Sequence, residues 1–154
     1  MASAWRIVLA SEANRAFSGE GSRRYGGRWN SPGVSLVYAS EHQSTAILEI
    51  FIHNRPFLPD EGHKLFHLEW PDRLTEVFPT KNLPPDWRII PAPRSTKQIG
   101  DDWTLKSRSA VLAVPSAIVP EETTFLLNPP HRDFRHVRIG RPIDFGFDPR
   151  LLGR

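Results

Sequence analysis

Three residues carry side chains that together suit an anionic, sugar-bearing ligand. Arg28 lies in the segment Gly26-Gly27-Arg28-Trp29-Asn30-Ser31-Pro32-Gly33, Tyr38 lies in the apolar run that follows, and Glu49 lies further along the chain. A guanidinium group offers a planar fork of donors that fits phosphate, and a carboxylate accepts hydrogen bonds from hydroxyl groups. A site that held this cation, phenol and carboxylate together could therefore bind both halves of such a ligand.

The local sequence predicts a loop, a strand and a helix to position these three side chains. Gly26 and Gly27 allow positive φ, and Ser31-Pro32-Gly33 is typical of a turn. Residues 34–39 read as a strand, and Ser40 with Gln43 forms a capping box that would start a helix. Glu49 falls at the polar border of that helix, where it could equally be an ordinary solvated carboxylate.

Arg6 and Ser116 are weaker candidates, each with a plain structural alternative, and two histidines have a spacing that metal ligands can have. Arg6 sits inside a short apolar strand at residues 5–9, where it projects either into a pocket or outward from an edge. Ser116 lies at a bend between two prolines and could simply satisfy a turn. His63 and His67 are four apart on an alternating strand, but no third metal ligand is evident, so we expect no metal site.

The remaining pattern predicts short mixed elements. We expect an α+β fold with mixed, mostly antiparallel twisted sheets and a few short helices, because fifteen prolines favour many turns. The predicted strands lie at 64–70, 111–114, 134–139 and 143–147, with a kinked strand or edge at 115–120. A short helix is expected around 74–77 and a longer one within 95–109.

Composition narrows the class of protein. The 154 residues suit one domain, no apolar run approaches the roughly 20 residues that span a bilayer, and no signal peptide is recognisable. The absence of cysteine is compatible with the cytoplasmic location that we expect. The net charge of +3 indicates either a solvated basic surface or a negatively charged partner. Such a partner could be a phosphorylated small molecule, a nucleic acid or an acidic protein. Neither the dinucleotide-binding glycine fingerprint nor the P-loop is present.

Several of these segments together resemble the RES domain family. They are the glycine-arginine segment at 26–33, the strand at Tyr38, the helix that reaches Glu49, Val114-Pro115-Ser116, and Asn128-Pro129-x-His131-x-Asp133-Phe134. The family is named after an arginine, a glutamate and a serine, which match Arg28, Glu49 and Ser116. The resemblance covers nearly the whole chain and implies a single RES domain, residues 1–154, with a fold related to ADP-ribosyltransferases.

The resemblance also implies a function. RES proteins are the toxin half of bacterial type II toxin–antitoxin pairs, usually beside an Xre-like helix-turn-helix antitoxin. They consume NAD⁺ by hydrolysis or phosphorolysis, or transfer ADP-ribose to a protein. We therefore expect NAD⁺ as the substrate, inorganic phosphate as a candidate co-substrate, and no bound cofactor. We also expect the complex of this protein with its antitoxin to be oligomeric and to contact DNA through the antitoxin.

The residue roles follow from that chemistry. Glu49 would stabilise an oxocarbenium-like ribose, Arg28 and Arg6 would neutralise the pyrophosphate, and Tyr38 would stack on a ring or bind the ribose. Ser116 would orient the nicotinamide end, and His131 would help to position the acceptor. The alternatives are an RNA-cleaving toxin, since arginine, histidine and aromatic residues also bind RNA, and a non-enzymatic module that binds an acidic partner.

Overall fold

The computed structural model describes residues 1–54 and 62–153, with the side chain of Asn54 left out. Within these residues, eight strands, three α-helices and five short 3₁₀ turns alternate along the chain. The strands are β1 (Ala2–Leu9), β2 (Val37–Ser40), β3 (His63–Trp70), β4 (Thr75–Val77), β5 (Val111–Pro115), β6 (Thr123–Leu127), β7 (Arg138–Ile139) and β8 (Ile143–Phe145). The helices are α1 (Glu20–Tyr25), α2 (Gln43–Asn54) and α3 (Arg94–Leu105).

The strands form one sheet in the order β4-β5-β6-β2-β1-β3-β7, with β8 also paired to β3. Each of these pairings is antiparallel except that of β4 with β5, which is parallel. The longest register joins β1 to β3 from Ala2 opposite Trp70 to Leu9 opposite His63. The expected α+β class with a mostly antiparallel sheet is confirmed.

Apolar clusters fix the elements that carry the candidate site. One cluster packs α3 against the sheet and the segment after α1, with buried members Trp29, Leu36, Trp103, Leu112, Val114 and Leu126. Full burial of a large apolar side chain stabilises a fold by about 1.5–3 kcal/mol. A second cluster holds α2 on β1 and β3 through Ile7, Ala46, Ile50 and Leu65. Both the loop that bears Arg28 and the helix that bears Glu49 are thus anchored to the sheet.

The predicted start of the second helix is wrong by three residues. Ser40 is the last residue of β2, where it pairs with Thr124, and the backbone N–H of Glu41 continues this pairing by donating to the carbonyl of Thr123 at 3.0 Å. The helix therefore begins at Gln43, and β2 is shifted relative to the predicted strand at 34–39. Pairing with β6 outweighs the local capping signal.

Three further predictions are also wrong. The helix expected around 74–77 is instead a 3₁₀ turn, Asp72–Leu74, followed by β4, because β5 offers a parallel partner. The strand expected at 134–139 is a 3₁₀ turn, Arg132–His136, with only the two-residue β7 after it. The segment expected to be a kinked strand at 115–120 leaves the sheet at Pro115 and turns. None of the described helices is long and apolar enough to cross a membrane.

Candidate functional site

A cavity of about 560 Å³ opens between β1, the segment around α1, and α2. Its volume is within the range of about 300–1,000 Å³ that is typical of small-molecule sites. Arg6, Tyr38 and Glu49 all line it, together with Gly26 and Gly27 from the glycine segment. The fold therefore brings three of the six predicted site residues to one cavity.

The arginine loop, residues 26–33, borders this cavity and is held from behind by α3. The hydroxyl of Thr96 donates a hydrogen bond to the carbonyl oxygen of Arg28 at 2.6 Å. The ammonium group of Lys97 donates to the carbonyl oxygen of Gly27 at 2.5 Å. Since carbonyl groups of the loop are the acceptors, α3 fixes the backbone and leaves the Arg28 side chain to reach elsewhere.

The next turn of α3 continues this contact. The carboxylate of Asp101 accepts a hydrogen bond from the backbone N–H of Ser31 at 2.8 Å. Gly100 lets the helix approach so closely that a β-carbon at this position would lie 1.7 Å from the carbonyl oxygen of Trp29. Only glycine fits such an approach without a shift of the backbone. α3 thus fixes the backbone conformation of the loop through hydrogen bonds and close packing.

Asn30 and Tyr38 tie the loop together from the sheet side. The amide of Asn30, which is fully buried, donates to the carbonyl oxygens of Ser22 at 3.0 Å and Val34 at 2.9 Å. The hydroxyl of Tyr38 donates to Asn30 Oδ1 at 2.5 Å and accepts the N–H of Trp29 at 3.0 Å. Burial raises the pKa of Tyr38, so its phenol stays neutral. The hydroxyl that we expected at the ribose is already bonded to the loop.

Arg28 adjoins the cavity and is not among the residues that line it. Its Nη1 donates to the carbonyl oxygens of Trp87 at 2.9 Å and Ile89 at 3.0 Å. Partial burial lowers the pKa of Arg28, and the negative charge of Glu49 opposes that shift. The guanidinium is therefore close enough to Glu49 for their charges to interact, and it also holds the chain around residue 88 in place.

Arg6 supplies a second cation, on the cavity wall itself. Its Nε donates to the carbonyl oxygen of Ala16 at 2.9 Å and its Nη1 to that of Tyr38 at 2.8 Å. Burial lowers the pKa of Arg6 to about 10, so the group is still charged at neutral pH. Of the two readings left open by the sequence, the structure favours the one in which Arg6 projects into a pocket.

Glu49 has a partner that we did not select from the sequence. His53 lies one helical turn further along α2, lines the same cavity, and its Nε2 is 3.2 Å from Glu49 Oε2. The hydrogen bond that Glu49 accepts from His53 raises the pKa of His53, while burial opposes this shift. The i, i+4 spacing was visible in the sequence and would have pointed to His53 as a neighbour of the carboxylate.

Ser116 and His131 are not among the residues that line the cavity, and they follow opposite ends of one strand pair. The fully buried Ser116 accepts hydrogen bonds from the N–H groups of Ile118 at 3.2 Å and Val119 at 3.1 Å. It follows the end of β5 that pairs with the start of β6, whereas His131 follows the other end of this pair. A five-residue strand pair separates them by roughly 15 Å. Their expected roles at the substrate stay predictions.

The described residues contain no group of three or more His, Asp or Glu side chains that could hold a metal ion. His63 is buried in β3. His67 lies with its ring centroid 4.4 Å from that of Trp5.

The chain belongs to the RES domain family, whose model matches residues 3–148. It is 36% identical over 148 residues to "Toxin Res" of Yersinia enterocolitica serotype O:8 / biotype 1B, and the alignment covers 96% of this chain and 97% of that protein. It is 38% identical over 154 residues to "Prs ADP-ribosylating toxin" of Sphingobium sp. (strain YBL2), and this alignment covers 96% of this chain and 95% of that protein. The expected family is confirmed.

A solved structure shows the same fold at low sequence identity. A chain in the crystal structure of the M. tuberculosis MbcT-MbcA toxin-antitoxin complex matches with a TM-score of 0.76 and 18% identity. The match covers 99% of this chain and 87% of that one.

Proposed function

We propose that this protein is the toxin of a toxin–antitoxin pair and that it acts by cleaving the nicotinamide–ribose bond of NAD⁺. Membership of the RES family and the names of the relatives support the toxin role. The observation that carries the chemistry is the position of Glu49 on the wall of a cavity that also contains Arg6 and adjoins Arg28. A carboxylate that shares a cavity with one guanidinium group and interacts with the charge of a second suits a substrate with a ribose beside a pyrophosphate.

The reaction that this site suits needs no metal or electron transfer. As the C1″–N bond breaks, nicotinamide leaves as a neutral molecule with the bonding electrons, and positive charge develops on the ribose. Glu49 stabilises that charge, in the way that carboxylates do in glycoside hydrolysis. Attack by water gives ADP-ribose and a proton, and attack by phosphate gives ADP-ribose 1″-phosphate.

The two arginines differ in what they offer the substrate. Arg6 is bonded to two backbone carbonyls through Nε and Nη1, so it presents a fixed positive charge to the cavity. Arg28 is bonded through Nη1 alone, which leaves Nε and Nη2 outside those contacts. Arg28 therefore keeps more of its donors than Arg6 does for a fork of hydrogen bonds to pyrophosphate oxygens, from a position beside the cavity.

His53 acts on Glu49 in this proposal. A histidine that donates to one carboxylate oxygen restricts the rotation of the carboxylate and leaves the other oxygen for the ribose. The raised pKa of His53 extends the pH range over which it is a cation beside Glu49.

A second candidate function is transfer of ADP-ribose to a protein. It is favoured by the relative that is named as a Prs ADP-ribosylating toxin, which is 38% identical to this chain. The same bond is broken in both reactions, and only the acceptor differs.

We further propose an antitoxin of the Xre-like type as partner, since the matched solved fold comes from a toxin–antitoxin complex.

The test is the fate of NAD⁺ with the purified protein, with and without inorganic phosphate, read by mass spectrometry of the products. Loss of NAD⁺ with release of ADP-ribose or its 1″-phosphate is expected. Loss only in the presence of a protein substrate that gains mass would establish the second candidate. Intact NAD⁺ with cleaved RNA, or no reaction at all beside tight partner binding, would overturn both.

A further inference from the structure

A second cavity, which we call the arginine cleft, lies at the end of the sheet opposite the Ser116 turn. It has a volume of about 450 Å³ and shares none of its lining residues with the first cavity. Three segments meet there: the chain before β4, the chain between α3 and β5, and the 3₁₀ turn after β6. The polar residues that line the cleft are Arg73, Ser107, Arg108, Ser109, His131, Arg132 and Asp133.

The cleft carries positive charge that its own surroundings do not neutralise. Arg108 pairs with Glu76 and lies 3.8 Å from Asp102. Within residues 1–54 and 62–153, the side chains of Arg73 and Arg132 form no ion pair and no hydrogen bond. Asp133 is the one carboxylate in the lining, against three guanidinium groups.

His131 braces the cleft by joining two of its segments. Its Nδ1 accepts the backbone N–H of Asp133 at 3.0 Å, so the ring hydrogen is on Nε2, which donates to the carbonyl of Ser107 at 3.1 Å. Ser107 has a φ of 49°, a left-handed conformation that non-glycine residues rarely adopt. Both ring nitrogens are thereby used to hold the segment before Arg108 beside the segment that bears Arg132.

We propose that the arginine cleft is a second binding site, one that takes a phosphate group. Guanidinium groups bind phosphate through parallel N–H···O bonds, and Arg73 and Arg132 come from two separate segments to offer such donors, while Arg108 stays paired with Glu76. The cavity exceeds the lower limit of about 300 Å³ for small-molecule sites, so the phosphate can be free or esterified to a nucleoside. This proposal goes beyond NAD⁺ cleavage and does not depend on it.

The test is a titration of the ¹⁵N-labelled full-length chain, followed by backbone amide shifts. Inorganic phosphate and adenosine 5′-monophosphate are added in separate series. Saturable shifts at the amides of Arg108, Ser109 and Asp133 are expected, and the tighter of the two ligands at these amides identifies the source. Shifts confined to Gly26 and Gly27 would place the binding at the first cavity alone and would overturn the proposal.

Matched variants separate a site from general surface charge. Arg73→Gln and Arg132→Gln should each weaken binding at the cleft by about tenfold, the effect of one lost charge-assisted hydrogen bond. Arg135→Gln removes the same charge from the same 3₁₀ turn outside the cleft lining and should leave the affinity unchanged. An equal loss in Arg135→Gln, or no loss in either cleft variant, would contradict a specific site. Well-dispersed spectra of each variant confirm that it is folded.

Discussion

Gly100 and Trp29 are in contact through their backbones, since a β-carbon on Gly100 would lie 1.7 Å from the Trp29 carbonyl oxygen. This contact sets the distance between α3 and the arginine loop. It places Thr96, Lys97 and Asp101 within hydrogen-bond distance of the loop. The position of Arg28 therefore depends on a glycine that lies in a helix and has no side chain of its own.

Gly100→Ala should destabilise the protein, although alanine is the better helix former. The clash with backbone requires a shift of the loop or of α3, and overpacking of this kind costs about 1–3 kcal/mol. Gly21→Ala is a matched control, because a β-carbon there has open space around it in α1. It should be neutral or stabilising by up to about 1 kcal/mol. Denaturant unfolding of both variants measures this, and equal stabilities would refute the close contact.

Tyr38→Phe should lower stability and not merely substrate affinity. It leaves Asn30 Oδ1 and the N–H of Trp29 without their hydroxyl partner, at a cost of about 1–3 kcal/mol. Tyr25→Phe removes a hydroxyl from a side chain that is 77% exposed and should have no effect. Thermal unfolding distinguishes the two. A fully stable Tyr38→Phe protein with a raised KM would instead assign the hydroxyl to the substrate.

The contact of Glu49 with His53 should be visible in a proton titration. Glu49 raises the pKa of His53, so Glu49→Gln should lower that pKa, and Glu69→Gln should not. Because the folded-state pKa is the raised one, the stabilisation is complete below the unfolded pKa of about 6.5 and is lost as the pH rises through the folded value. NMR titration of the His53 ring measures the shift. An identical His53 titration in both variants would rule out the contact.

Ser116→Ala tests whether the serine is a turn residue or a substrate ligand. Loss of the oxygen that accepts two backbone N–H groups should cost about 1–3 kcal/mol of stability. Ser44→Ala on the exposed start of α2 is the matched control and should be silent. Under conditions where the variant is fully folded, unchanged NAD⁺ turnover supports a turn role. A loss of turnover with full stability would restore the role expected from the family.

The sequence predicted secondary structure best where the spacing of apolar residues within one segment is long and regular enough to define a strand or a helix. The alternation of residues 64–70 predicted β3 to within one residue, and the helical spacing around Trp103 predicted a helix within 95–109, where the structure has α3. The prediction was wrong for β4, expected as a short helix, and for the segment after His131, expected as a strand, since four to six residues fit a helix, a strand or a turn until their partners are known. The parallel pairing with β5 decided the first, and the cap from His131 to Asp133 decided the second.

The candidate site was predictable to the same limited extent. Arg6, Tyr38 and Glu49 were all named from the sequence and lie on one cavity, with Arg28 beside it. Sequence spacing carries no information on distance across a sheet, so it could not reveal that Ser116 and His131 lie at opposite ends of the β5–β6 pair. Nor could it reveal that the Tyr38 hydroxyl and Arg28 Nη1 already bind backbone groups of the protein.

The most direct test of the account is the turnover of NAD⁺ by Glu49→Gln at saturating substrate, beside the wild type and Glu69→Gln. Glu69 is a carboxylate on β3 outside both cavities, so its variant carries the same chemical change without the site. We expect Glu49→Gln to fold normally and to lose about 10²-fold or more in kcat, the scale of a lost transition-state interaction. Glu69→Gln should retain full turnover. A folded Glu49→Gln protein that consumes NAD⁺ at the wild-type rate would contradict the assignment of Glu49 and the mechanism built on it.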